Sequence, residues 1–198
     1  LDAPIRKVED LKGKSVALPP RGNTSLSEGW ELLLRVHGMK LDDLGTKSYG
    51  SITENEELLK NRQAVAMGWT TTVPAGYMLS LGTSMKVRVL SYPEDVIAKI
   101  RQAMPGYARH VIPKTVYAQY GQEEDVVTFQ AATILIASSK TPPDVVYKIT
   151  KAVVEGREDF GRVTAAMKGV TAQQMAESLG LPKHPGAEKY YREAGLLK

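Results

Sequence analysis

KSVALPPRGNTSLSEGWELLLRVHG, residues 14–38, holds in one stretch the unit from which the rest of the chain is read. Lys14–Leu18 is a short apolar run with the character of a buried strand. Pro19-Pro20-Arg21-Gly22-Asn23 is a turn cluster. From Ser25 to Val36, apolar residues recur at Leu26, Trp30, Leu33 and Leu34, which is the spacing of one helix face. Ser25-Leu26-Ser27-Glu28 has the form of a capping box and predicts a helix beginning at Ser25. Gly38 stands where that helix should stop. The order is strand, turn, helix.

The same order repeats downstream. Thr46–Tyr49 reads as a strand, and Thr53-Glu54-Asn55-Glu56 as a capping box opening a helix to about Lys60. Ala64–Met67 reads as a third strand. It leads through Gly68-Trp69-Thr70-Thr71-Thr72 into a helix with Pro74 in its first turn. Strand Lys86–Leu90, helix Pro93–Gln102 and strand Ala108–Ile112 follow. Strands alternating with helices predict an α/β fold, with a mostly parallel sheet covered on both faces. After Ile112 the pattern changes. Asp125–Ser138 is a long β-branched run, read as a strand that bends or crosses between lobes. Pro142–Glu158 predicts an amphipathic helix with Val145, Val146, Ile149, Val153 and Val154 on one side. Helices over Thr171–Leu179 and Pro185–Ala194 end the chain; of the pair Tyr190-Tyr191, one ring is expected to pack and the other to face solvent. The expected division is a complete ligand-binding α/β lobe over 1–120, then a crossing strand and helices of another lobe over 121–198.

Composition narrows the function. Of 198 residues, 42% are hydrophobic and 24% charged, enough for a packed core. The net charge of +4 is spread over interspersed residues, with no basic stripe carrying aromatics, so nucleic acid is not an expected partner. The absence of cysteine removes disulfides and thiolate chemistry. His37, His110 and His184 lack the spacing of paired metal ligands, so neither metal nor cofactor is expected. No apolar run approaches the ~20 residues of a membrane span. The chain starts at Leu1 without a basic-then-apolar leader, which reads as a removed leader or an internal fragment. No nucleophile elbow, phosphate loop or dinucleotide fingerprint is present, and an enzyme is not expected.

In an open parallel sheet, ligands bind beyond the C-terminal strand ends. The first loop there offers Arg21, Gly22, Asn23, Thr24 and Ser25. Free N–H groups at a helix start and a guanidinium suit a carboxylate; a capped turn with a solvent-facing arginine explains the same residues. The second offers Trp69, Thr70 and Thr71, an indole face with hydroxyls; a core tryptophan with one capping threonine is equally consistent. Ser48-Tyr49-Gly50-Ser51, at the end of the second strand, reads as a simple turn with an N-cap.

Specific motifs then resemble a known family. Val8-Glu9-Asp10-Leu11-Lys12-Gly13-Lys14-Ser15-Val16 is similar to the D-L-K-G-K-x-V entry to the second lobe of periplasmic binding proteins. Ile112-Pro113, Tyr117, Gln122, Asp125-Val126 and Thr128 resemble a segment of the TAXI-type solute receptors of TRAP transporters. Val146-Tyr147-Lys148-Ile149-Thr150-Lys151, then His184-Pro185-Gly186-Ala187 and Tyr190-Tyr191-Arg192-Glu193, are similar to their closing signature. The resemblance implies a hinged type II periplasmic-binding-protein fold that holds a small carboxylate or amino-acid-like solute between two lobes and docks on the permease subunits of a TRAP transporter. It implies a periplasmic location. The family's G-S-G-T ligand loop falls on Arg21–Thr24, where only Gly22 and Thr24 match. The family's loop before a helix-opening proline falls on Gly68–Pro74, and Tyr117 becomes a contact from the hinge side. Against the family's length, the upstream part of the first lobe is missing, which predicts self-association of this chain. The alternative class is an effector-sensing domain of a transcription regulator with the same architecture.

Overall fold

The computed structural model describes residues 4–164, 167–178 and 180–197, and it divides into two compact units, residues 1–130 and 131–198. The α/β architecture expected from the sequence is present, and it is consistent with a periplasmic-binding-protein-like fold.

The N-terminal unit is built on a three-stranded parallel sheet. Its strands are β1 (Val16–Leu18), β2 (Lys47–Tyr49) and β3 (Ala66–Met67), in the order β2-β1-β3. Residues Val16, Ala17 and Leu18 are all buried, as a central strand covered on both faces requires. The register pairs Leu18 with Tyr49 and Ala17 with Met67. The strands are followed in turn by α1 (Thr24–Val36), α2 (Ile52–Lys60) and α3 (Gly76–Ser84). Then come α4 (Glu94–Ala103), β4 (Tyr107–Ile112) and β5 (Val126–Ala131), the last two pairing as a separate two-stranded sheet. One apolar cluster gathers Val8, Leu11, Val16, Leu18, Trp30, Leu34 and Ile100 around the parallel sheet. A second gathers Ala75, Met78, Ile112, Tyr117 and Val126.

Several boundaries differ from the expected ones, each for a local reason. α1 starts one residue before Ser25, because Asn23 is the N-cap: its Oδ1 accepts from the Leu26 N–H at 3.4 Å. Ser25 instead donates its hydroxyl to that same Oδ1 at 3.3 Å, so the expected Ser25–Glu28 box does not form. At α2 the capping box is Ser51 with Glu54, not the one beginning at Thr53; Glu54 Oε2 accepts from the Ser51 N–H at 2.6 Å. Pro74 lies outside α3, which begins at Gly76 after a cis Val73-Pro74 bond. Residues Lys86–Leu90 form no strand; Val87 N–H donates to the Tyr120 carbonyl and Val89 N–H to Gln122 Oε1. A side-chain amide takes one of the places that a neighbouring strand would have filled.

Sequence motifs near the start also take on structural work. Glu9 accepts a 2.8 Å hydrogen bond from His37, whose side chain is almost completely buried at the end of α1. That bond, more than any other contact, holds the Glu9 carboxyl below its usual pKa.

The C-terminal unit is helical. Its helices are α5 (Pro143–Glu155), α6 (Arg157–Val163), α7 (Ala172–Ala176) and α8 (Pro185–Glu193). The single helix expected to Glu158 is therefore two helices, with Gly156 between them capping α5. Of the expected helix over Thr171–Leu179, Leu179 lies outside the described residues. The buried face of α5 is Val146, Thr150 and Val154, spaced four apart, while Val145 and Ile149 are exposed. Thr150 is tolerated there because its hydroxyl donates to the Val146 carbonyl at 2.8 Å. α8 packs on α5 with Gly186 against the Pro143 carbonyl, and the rings of Tyr147 and Tyr190 meet edge to face at 5.7 Å. Tyr190 packs as expected; Tyr191 does not face solvent but is half-buried, its hydroxyl donating to the Met175 carbonyl at 3.0 Å. The expected strand over Asp125–Ser138 ends at Ala131, and residues 132–140 run on without regular structure, exposing Ile134, Leu135 and Ile136.

Candidate functional site

The parallel topology decides where the candidate loops meet. Because β1, β2 and β3 all run in one direction, their C-terminal ends share one edge of the sheet. Three loops leave that edge: 19–23 from the central strand, 50–51 from one neighbour and 68–75 from the other.

The central loop carries Arg21. Pro19 and Pro20 restrict its path, and the Asn23 N–H closes a turn onto the Pro20 carbonyl at 3.1 Å. Gly22 at φ 92° occupies the left-handed region that the turn demands, and a Cβ there would meet open space. Thr24 and Ser25 are exposed in the first turn of α1 and Asn23 is half-buried as its cap. The Arg21 guanidinium lies 4.4 Å over the ring of Tyr49, and no carboxylate pairs with it among the described residues.

That arrangement leaves Arg21 available. A cation over an exposed tyrosine is worth about 0.5–1 kcal/mol. A charge-assisted hydrogen bond to a carboxylate is worth about 1.5–3 kcal/mol. The stack therefore holds the guanidinium at the strand edge without competing against an incoming anion.

The loop from β2, read in the sequence as a simple turn, contributes more than that. Tyr49 supplies the platform for Arg21, and Gly50 N–H donates to the Leu18 carbonyl at 3.1 Å. Asn55, one turn into α2, donates from Nδ2 to the same carbonyl at 2.9 Å. Glu54 beside it is already engaged: hydrogen bonds from the Ser51 N–H and hydroxyl hold its carboxyl below the usual range. The signal for Asn55 was its spacing alone, three residues after Ile52 and four before Leu59, and Glu56 is a second buried polar residue on the same face.

The loop from β3 is anchored from below. Trp30 is the buried indole; its Nε1 donates to the Gly68 carbonyl at 3.2 Å and its ring presses on the Gly68 backbone. Trp69 is half-buried, and Thr70 and Thr71 are exposed. No threonine caps α3, whose N-cap is Ala75. Tyr117 does not face open space: it is 2% exposed, and its hydroxyl accepts from the Ala75 N–H at 2.7 Å. Its hydroxyl pKa is raised by burial, with the Ala75 hydrogen bond opposing. The structure places Tyr117 as a support for the end of this loop.

Tyr117→Phe removes only that hydroxyl and leaves the buried Ala75 N–H without a partner. The expected loss is about 1–3 kcal/mol of stability, measured by urea unfolding. A variant as stable as the parent would show that the N–H finds another acceptor.

Among the described residues, no group of histidine, aspartate and glutamate is placed to hold a metal ion, and no helix is long and apolar enough to cross a membrane. A family model described as the NMT1-like family matches residues 1–195.

Proposed function

The chain belongs to the NMT1-like family, and from that premise we propose that it is a solute receptor of a TRAP-type transporter, acting outside the cytoplasm as a binding protein and not an enzyme. The family is related to TRAP and NMT1 periplasmic binding proteins and carries a substrate-binding or receptor role. The finer reading, a TAXI-type receptor in the periplasm that serves TRAP permease subunits, rests on the motifs of residues 8–16, 112–128 and 146–193. The solute is a small carboxylate or amino-acid-like molecule.

One observation supports the anionic solute above the rest. Arg21 stands at the C-terminal edge of the sheet, beside the start of α1, exposed and without a carboxylate partner among the described residues. Asn23 and Thr24 add polar atoms at the same helix start, and Trp69, Thr70 and Thr71 belong to the loop on the other side of the central strand. Native mass spectrometry of the purified receptor would identify retained solute. Arg21→Ala is then expected to weaken its binding about 10- to 100-fold in calorimetry, the equivalent of one charge-assisted contact. Unchanged affinity would remove Arg21 from the site.

Self-association belongs to the same proposal. Ile134, Leu135 and Ile136 lie exposed in an uncharged stretch of the C-terminal unit, the kind of surface that finds a partner.

A further inference from the structure

Asn55 is a side chain that packing does not explain. It is fully buried, its Nδ2 donates to the Leu18 carbonyl at 2.9 Å, and its Oδ1 is buried with no hydrogen-bond partner. Native structures leave few such atoms unsatisfied, because each forfeits its hydration for nothing in return. The Leu18 carbonyl does not depend on Asn55, since it also accepts from the Gly50 N–H at 3.1 Å. A leucine at position 55, close in volume, would leave neither group stranded. Stability alone would favour the leucine.

What the amide does do is join three pieces of the candidate site. It ties α2 to the last carbonyl of β1, at the point where the chain leaves the sheet. Its Oδ1 faces Gly50 at the end of β2: a Cβ on Gly50 would lie 3.4 Å from it. From Leu18 the chain passes through two prolines to Arg21, so a direction set at Leu18 is carried forward with little freedom to bend. Arg21 then lands over Tyr49, the residue paired with Leu18 in the sheet register. We propose that Asn55 is a positioning residue for Arg21, and that its hydrogen bond to the Leu18 carbonyl sets where the guanidinium sits at the strand edge. The inference rests on reading Arg21 as the contact for the solute's carboxylate, and it adds the device that holds Arg21 in place.

The test needs no solute. In the labelled full chain, the ring current of Tyr49 moves the Arg21 Nε–H and Cδ–H resonances upfield, with Arg21→Lys assigning them and Tyr49→Leu abolishing the shift. In Asn55→Leu, the melting temperature is expected to hold or rise, while the Arg21 resonances return to the positions of exposed arginines. A ring-current shift that survives in Asn55→Leu overturns the proposal, as does a wild-type Arg21 with no shift at all. Asn55→Ser, too short to reach the Leu18 carbonyl, gives the same test should the leucine variant fail to fold. A purely structural role would lower the melting temperature and leave the Arg21 resonances where they are. Failure here is separable from failure of the solute-receptor reading, which is decided by the calorimetry of Arg21→Ala.

Discussion

Gly186→Ala unfolds the C-terminal unit and leaves the N-terminal one folded. Gly186 is buried in the first turn of α8, where that helix crosses α5. A Cβ at this position would overlap the Pro143 carbonyl oxygen, and it would stand 2.8 Å from the Tyr147 nitrogen. Both obstacles are backbone, so no rotamer change relieves them. The helices must separate, and the contacts that depend on their close approach go with them. Those are the Tyr147–Tyr190 ring pair and the 2.7 Å hydrogen bond from Tyr147 to Glu193 Oε2. Overpacking a core typically costs 1–3 kcal/mol, and a clash against fixed backbone belongs at or above the top of that range, about 3 kcal/mol or more. A small unit of short helices has little more stability than that to lose. Hydrogen exchange followed by mass spectrometry should show residues 143–155 and 185–193 exchanging as an unfolded chain while residues 16–36 stay protected. Unchanged protection of α5 would mean that Pro143 can yield.

The fate of these residues shows what the chain made legible. Leu18 and Asn23 illustrate the readable part. A short buried run followed by a proline-glycine turn and a helical stripe has only one economical arrangement, a parallel strand with its helix on the face. Hence the order of strands and helices through Ile112 was largely readable. What failed were choices between near-equal local partners. Asn23, Ser25, Ser51 and Thr53 are all competent caps, and the winner is decided by which residue can leave helical geometry, a matter of the preceding turn. Lys86–Leu90 has the composition of a strand, but a strand exists only where a neighbour offers its edge; here a glutamine side chain and a single carbonyl took that place. Asp125–Ser138 was read as one element because apolar composition continues past Ala131. Pairing, not composition, ends the strand.

The candidate site divides the same way. Arg21 and Gly22 were visible because a turn cluster before a helix start carries its own chemistry. Tyr49 read as part of a simple turn and Asn55 as part of a capping box, since their roles come from register and from a tertiary hydrogen bond to Leu18, 37 residues earlier. Tyr117 was visible as a motif residue, yet its direction was not: a tyrosine between two turns can face a cleft or turn inward, and here it turns inward to cap Ala75. Parallel pairing of β1 with β2 and β3 is the step that converts three separate loops into one edge.

Gly68→Ala should damage that edge more than any other single methyl group. Gly68 follows β3 directly, and its missing side chain is what lets the Trp30 indole lie against the backbone. An added Cβ would stand 2.8 Å from Trp30 Cζ2 and 3.1 Å from Cε2. Trp30 cannot retreat easily. Its ring is in the apolar cluster around the sheet, and its Nε1 is committed to the Gly68 carbonyl at 3.2 Å. A methyl group that pushes the ring away therefore also breaks the hydrogen bond that anchors the loop. The overpacking and the lost bond together are expected to cost about 2–4 kcal/mol in urea unfolding. The larger consequence is for the loop that follows. With its anchor released, the loop from Gly68 is held at its far end, where Ala75 packs in the second apolar cluster and donates to the Tyr117 hydroxyl, so Trp69, Thr70 and Thr71 lose their fixed position relative to Arg21. Solute affinity should fall in proportion to the ordering that binding must then supply, while Trp30 fluorescence shifts as its ring leaves the core. Phe at position 30 on top of Gly68→Ala should recover stability, because the smaller ring leaves room for the methyl group, and yet not recover affinity, because it has no N–H to return to the Gly68 carbonyl. Recovery of both would show that ring volume alone shapes this loop.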